Sequence, residues 1–143
     1  MTMVLWLAIG CGSDGLIKEP NVNGGNDTSF NEGDTSPPEI VFEALDGNQP
    51  GGEPVVMDAT ITDEGNGVFI ATLYYRNETD SSKDWKSIGF VPGAAEGEYT
   101  ATIPADAQHS SGMWYYLFAS DGANETTSPE RGAESPYHFG YSD

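Results

Sequence analysis

Cysteine, basic charge and long apolar runs are all scarce in this chain, and each shortage removes a class of protein. One cysteine, Cys11, stands among 143 residues, so no intrachain disulfide can form and the fold must rest on its own hydrophobic core. Five Lys and Arg oppose 23 Asp and Glu, a formal net charge of −18. A surface of that sign repels nucleic acid and anionic lipid headgroups, so neither is expected as a partner. It favours cations and suits a saline or calcium-rich exterior. No apolar stretch approaches the roughly 20 residues that a bilayer-spanning helix requires. No window keeps apolar residues at helical spacing for three turns, so no substantial helix is expected.

Catalytic vocabulary is equally thin. The chain has no Gly-x-Ser-x-Gly elbow, no Cys-x-x-Cys, no His-Glu-x-x-His and no phosphate-cradling glycine loop. Its two histidines are His109, in a turn, and His138, mid-strand with its side chain opposite those of Tyr137 and Phe139. Both read as surface imidazoles. Acidic residues are spread so evenly that no catalytic carboxylate pair stands out. An enzyme is not expected, and calcium is the one candidate cofactor.

What is present is a run of short strands. From Glu39 onward apolar or alternating segments recur at Ile40–Leu45, Val55–Thr62, Val68–Arg76, Trp85–Val91, Glu98–Ile103, Met113–Ser120 and Tyr137–Tyr141. Turn-rich breakers separate them, among them Asp63–Gly67, Pro92–Glu96, Pro104–Gly112 and Asp121–Pro136. Seven short strands rich in Val, Thr, Ile and aromatics predict an all-β, antiparallel sandwich. Period-2 alternation assigns the faces. Ala59 and Ile61, then Phe69, Ala71, Leu73 and Tyr75, then Tyr99, Ala101 and Ile103, then Tyr115, Leu117 and Ala119 point inward. Thr60, Thr62, Ile70, Thr72, Tyr74, Arg76, Thr100, Thr102, Trp114, Tyr116, Phe118 and Ser120 point outward.

Four segments in this order, Ala59-Thr60-Ile61-Thr62-Asp63, Leu73-Tyr74-Tyr75-Arg76, Tyr99–Pro104 and Tyr115–Asp121, resemble the immunoglobulin-like and fibronectin type III-like modules of bacterial exported proteins. The resemblance covers residues 38–141 and lacks the two sheet-bridging cysteines of antibody domains. It implies about seven strands, and it implies that Tyr115 occupies the tyrosine-corner position, its hydroxyl bonded to the main chain.

The N-terminal part reads differently. The apolar run Val4-Leu5-Trp6-Leu7-Ala8-Ile9 ends in Gly10 and Cys11, and Gly12-Ser13-Asp14-Gly15 follows. This juncture resembles the lipobox of a bacterial lipoprotein, although Leu7 stands four residues ahead of the cysteine where that pattern has its leucine three ahead. The resemblance implies that residues 1–10 are a removed signal segment and that Cys11 carries the lipid. It also implies a place in the cell envelope, facing the periplasm or the cell surface. Gly12 in place of an inner-membrane-retaining Asp favours the outer membrane. Residues 11–37, dominated by Gly, Asn, Asp and Ser, are expected to be an acidic tether holding a domain at 38–143 roughly 25–30 Å from its anchor.

Two surface constellations stand out on that domain. Tyr74 on one strand and Trp114, Tyr116 and Phe118 on its expected neighbour fall on the outward face, with Trp85 extending the patch. Tyr and Trp are over-represented where proteins contact partners, and aromatic cross-strand pairs also stabilise sheets. The turns Asp63–Gly67 and Asp121–Glu125 should share one end of the sandwich. There Asp63, Glu64, Asp121, Asn124 and Glu125 could present hard oxygens to one Ca²⁺, although such residues are also what turns use for their own backbone bonds. Asn26-Asp27-Thr28, Asn77-Glu78-Thr79 and Asn124-Glu125-Thr126 match the N-glycosylation acceptor, a pattern that an Asn- and Thr-rich chain meets by composition. The expected function is display or binding through non-catalytic protein or glycan contacts. The alternatives are a calcium-stiffened adhesive module, a carbohydrate-binding module or an accessory subunit of an envelope complex.

Overall fold

Residues 33–108 and 111–142 are described by the computed structural model. Eleven strands follow in chain order: β1 (Glu39–Val41), β2 (Gln49–Pro50), β3 (Val55–Thr62), β4 (Ile70–Asn77), β5 (Lys86–Gly89), β6 (Val91–Pro92), β7 (Glu98–Ile103), β8 (Met113–Ser120), β9 (Glu125–Ser128), β10 (Tyr137–Phe139) and β11 (Tyr141–Ser142). Single 3₁₀ turns at Ala105–Ala107 and Gly132–Glu134 are the only helical elements among the described residues. No helix there is long and apolar enough to cross a membrane.

Strand order is β1-β3-β7-β6 in one sheet and β10-β8-β4-β5 in the other, with β9 also paired to β8. All these pairings are antiparallel. The two sheets sandwich one core. β3 shows why it forms: Val55, Met57, Ala59 and Ile61 are buried, while the residues between them, Val56, Asp58, Thr60 and Thr62, are exposed. A strand that alternates this way can satisfy its backbone in the ladder and bury one face only. Across the core Leu73, Met113, Tyr115, Leu117, Ala119 and Phe139 lose essentially all solvent contact. Each Leu, Met or Phe among them contributes roughly 1.5–3 kcal/mol by leaving water.

The all-β antiparallel sandwich holds, with two of its seven expected strands broken. Trp85–Val91, expected as one strand, is two. β5 pairs with β4 in the second sheet, and β6 pairs with β7 in the first. Between them Phe90 turns into the core, 8% exposed, and its N–H donates to the Ala71 carbonyl at 2.9 Å. The last expected strand, Tyr137–Tyr141, is likewise split: β10 pairs with β8, while β11 pairs in parallel with β2 in a separate two-stranded sheet. β9 corrects the expected breaker Asp121–Pro136: it pairs antiparallel with Leu117–Ser120 of β8, as β10 does with Met113–Tyr115, so both extend the sheet from β8. Residues 129–136 bulge out between them.

Other expectations need correction at the margins. β1 stops at Val41, and the rest of the expected Ile40–Leu45 run leaves the sheet, with Phe42 and Leu45 packing on the core. Phe69, assigned inward, is 59% exposed because β4 begins one residue later and its inner face begins at Ala71. Ser120, assigned outward, is buried because its hydroxyl accepts the Gly122 N–H at 3.0 Å and closes the turn after β8. Tyr115 does bond the main chain through its hydroxyl, which accepts the Leu45 N–H at 3.0 Å. The partner lies 70 residues upstream, so this bond ties the β1–β2 connection to the core.

Candidate functional site

The outward face of the second sheet assembles the aromatic set. Register places Tyr74 opposite Tyr116, Arg76 opposite Trp114 and Thr72 opposite Phe118. Tyr74 and Tyr116 stack with ring centroids 4.9 Å apart and planes 12° apart. Phe118 meets Tyr74 edge-on at 6.3 Å, and Trp85 meets Tyr116 edge-on at 4.9 Å. The Arg76 guanidinium carbon lies 4.9 Å from the Trp85 ring centroid. At the other flank Trp114 packs on the His138 ring at 4.3 Å. All five predicted residues are half-buried; Tyr74, Trp85, Tyr116 and Phe118 form one run of ring contacts, and Trp114 continues the ridge across from Arg76. Such pairs are worth about 0.5–1.5 kcal/mol each beyond their buried area. Burial, reinforced by Tyr74, raises the Tyr116 hydroxyl pKa above its ordinary value.

The ridge is also distinctive electrostatically. β4, β5 and β8 contain no Asp or Glu, and their only charged residues are Arg76 and Lys86. In a chain with 23 acidic residues, these three strands are therefore a neutral-to-basic strip. Acid returns at its margins, as Asp84 before Trp85, as Glu125 and Glu130 beside Phe118, and as Glu78, whose Oε2 lies 3.5 Å from His138 Nε2. The first sheet differs. Its outer groove, about 540 Å³, is lined by Val41, Glu43, Asp58, Thr60, Glu98 and Thr100 among others, and the Asp58 carboxylate accepts the Thr100 hydroxyl at 2.7 Å.

At one end of the sandwich the loops after β3 and β8 meet, as predicted. Asp63 Oδ1 accepts the N–H groups of Gly65 at 2.9 Å and Gly67 at 2.7 Å. Asp63 Oδ2 is buried and has no hydrogen-bond partner. Asp121 is 1% exposed. Its Oδ1 accepts from the Ala123 and Asn124 N–H groups, and its Oδ2 accepts the Asn124 side-chain amide at 2.9 Å. The Asn124 bonds, above all that of its side chain, hold the Asp121 pKa below the usual carboxylate value, with a smaller contribution from Ala123.

A third carboxylate joins them. Asp34, which composition assigns to the tether, accepts the Asn66 N–H through Oδ2 at 2.8 Å, and its carbonyl accepts the Asn124 amide at 3.2 Å. Asp34, Asp63 and Asp121 each offer an oxygen within 4.8 Å of the others. Glu64 and Glu125 are exposed and do not belong to this group. Asn124 contributes its amide nitrogen as a hydrogen-bond donor, so it positions the carboxylates.

Of the remaining predicted positions, Cys11, the 1–10 segment, His109 and Asn26 lie outside the described residues. Asn77 is 2% exposed, and its amide donates to the Ala107 carbonyl at 2.9 Å, so it is a structural side chain and no glycan acceptor. Neither a known family model nor a curated protein sequence matches the chain.

Proposed function

We propose that this chain is a lipid-anchored display or binding module of a bacterial cell envelope, acting through non-catalytic contacts to a protein or glycan. The observation that carries the reading is the aromatic ridge of Tyr74, Trp85, Trp114, Tyr116 and Phe118 on a sheet face built from acid-free strands. A surface with 23 carboxylates repels most biological polyanions and stays well hydrated. A half-exposed aromatic strip on such a surface is the place where desolvation costs least and contact area per side chain is greatest. Cys11 and the Gly- and Asn-rich stretch after it supply anchor and spacer in this reading, and two or more acyl chains on the cysteine would hold stably.

The two halves are tested separately. For the anchor, mass spectrometry of the mature N-terminus should find an acylated Cys11, and Cys11→Ser should leave the membrane fraction. For the face, Tyr116→Ser and Trp114→Ala should each abolish binding to envelope glycans and proteins presented on an array, with the fold intact by circular dichroism. Binding retained by both variants would move the contact surface elsewhere.

A further inference from the structure

We infer that the end of the sandwich holds a divalent cation, calcium by its chemistry, between the carboxylates of Asp34, Asp63 and Asp121. Ligands on one Ca²⁺ sit about 2.3–2.6 Å from it, so any two of their oxygens lie within about 5 Å of each other. The three carboxylates meet that condition, each with an oxygen within 4.8 Å of the others. The donor set is all oxygen and carries three formal charges, which suits a hard cation.

A second observation points to a ligand. Asp63 Oδ1 is already engaged by two backbone N–H groups, and Oδ2, the oxygen left over, is buried with no hydrogen-bond partner. A buried carboxylate oxygen without a partner is costly, and a bound cation supplies what it lacks. No Lys, Arg or His forms an ion pair with any of the three among the described residues. The nearby donors are backbone N–H groups and the Asn124 amide, which orient the carboxylates without neutralising them.

The placement gives the ion a task beyond ligand capture. Asp63 and Asp121 belong to loops that follow strands of opposite sheets, and Asp34 belongs to the segment leading into β1. A cation here fastens the incoming chain to both sheets. Gly65 shows how closely that segment seats, since a Cβ there would overlap the Asp34 carboxylate.

The test is a calorimetric titration and thermal melt of the full chain after chelation. Extracellular modules of this kind bind calcium at about 0.1–1 mM, so about 5 mM CaCl₂ should raise Tm by roughly 5–15 °C. MgCl₂ should do less, because magnesium demands near-ideal octahedral geometry. Asp34→Asn and Asp63→Asn should each lose the calcium-dependent shift. In chelator, Asp34→Asn should melt at or above the parent chain, because one of three crowded charges is gone. Asp34 precedes every strand, so its variant keeps the test valid even if Asp121→Asn fails to fold. The inference falls if calcium moves Tm no more than sodium at equal ionic strength, or if Asp34→Asn and Asp63→Asn respond as the parent does. A raised Asp34→Asn melt without any calcium response would mark the cluster as plain repulsion and would also overturn it.

Discussion

Replacing Tyr115 by Phe isolates a single atom in the most enclosed part of the core. Tyr115 is fully buried among Phe42, Tyr137 and Phe139, with ring centroids 6.0, 5.3 and 5.6 Å away, so a Phe ring keeps this packing. What disappears is the acceptor of the Leu45 N–H. A buried donor left without its partner costs about 1–3 kcal/mol, and the partial burial of Leu45 places this case at about 1–2 kcal/mol. For a domain of this size that corresponds to a fall in Tm of roughly 5–15 °C. The amide of Leu45 should lose protection in hydrogen exchange, while amides of β8 exchange as before. Tyr137→Phe is the internal control. Its hydroxyl pairs with the Ser128 hydroxyl at 2.9 Å, and losing a partly exposed hydroxyl pair should lower Tm by less. A Tyr115→Phe melt within about 2 °C of the parent, with Leu45 still protected, would refute the idea that this hydroxyl ties the β1–β2 connection to the core.

Three further outcomes follow from the same geometry. Burial pushes the hydroxyls of Tyr115 and Tyr141 up to about 12. A raised folded-state pKa gives stability that is complete below the unfolded value of 10.0 and lost as pH climbs through 12, so denaturant midpoints should hold to about pH 10 and then fall. Tyr115→Phe should shrink that alkaline fall. Gly65→Ala should unseat Asp34, seen as faster exchange of the Asn66 amide with little change in the sandwich melt. Leu117→Ala, at a position with no solvent contact, should cost about 2–5 kcal/mol in urea titrations, whereas Thr100→Ala on the first sheet's outer face should cost far less.

Much of this architecture was legible because the buried strands obey a strict alternation. Met57, Ile61, Leu73, Leu117 and Ile103 announce their face through their neighbours, and pairing register then aligns Tyr74 with Tyr116. The aromatic ridge was therefore readable before any coordinates. β9 was not, since Glu125-Thr126-Thr127-Ser128 has no apolar residue and is held by backbone pairing to β8. The sheet switch at Phe90 was hidden for a related reason. Continuous apolar character across Ile88–Val91 does not reveal that the backbone changes partner midway. At the carboxylate cluster, Asp63, Asp121 and Asn124 came from turn spacing, which topology brings together. Asp34 escaped because its surroundings are polar and glycine-rich, and only its bonds to Asn66 and Asn124 distinguish it from its neighbours. Glu64 and Glu125 share the loops but face water, a distinction that composition does not carry.

The pairing of β11 with β2 has a mechanical consequence. That short parallel contact lies at the pole where β3 and β8 start, while Asp34 lies at the pole where they end. Residues 33 and 142, the two ends of the described chain, thus lie at opposite poles. A pull applied between them would run lengthwise and load the β1–β3 ladder in shear, where several backbone bonds must break at once.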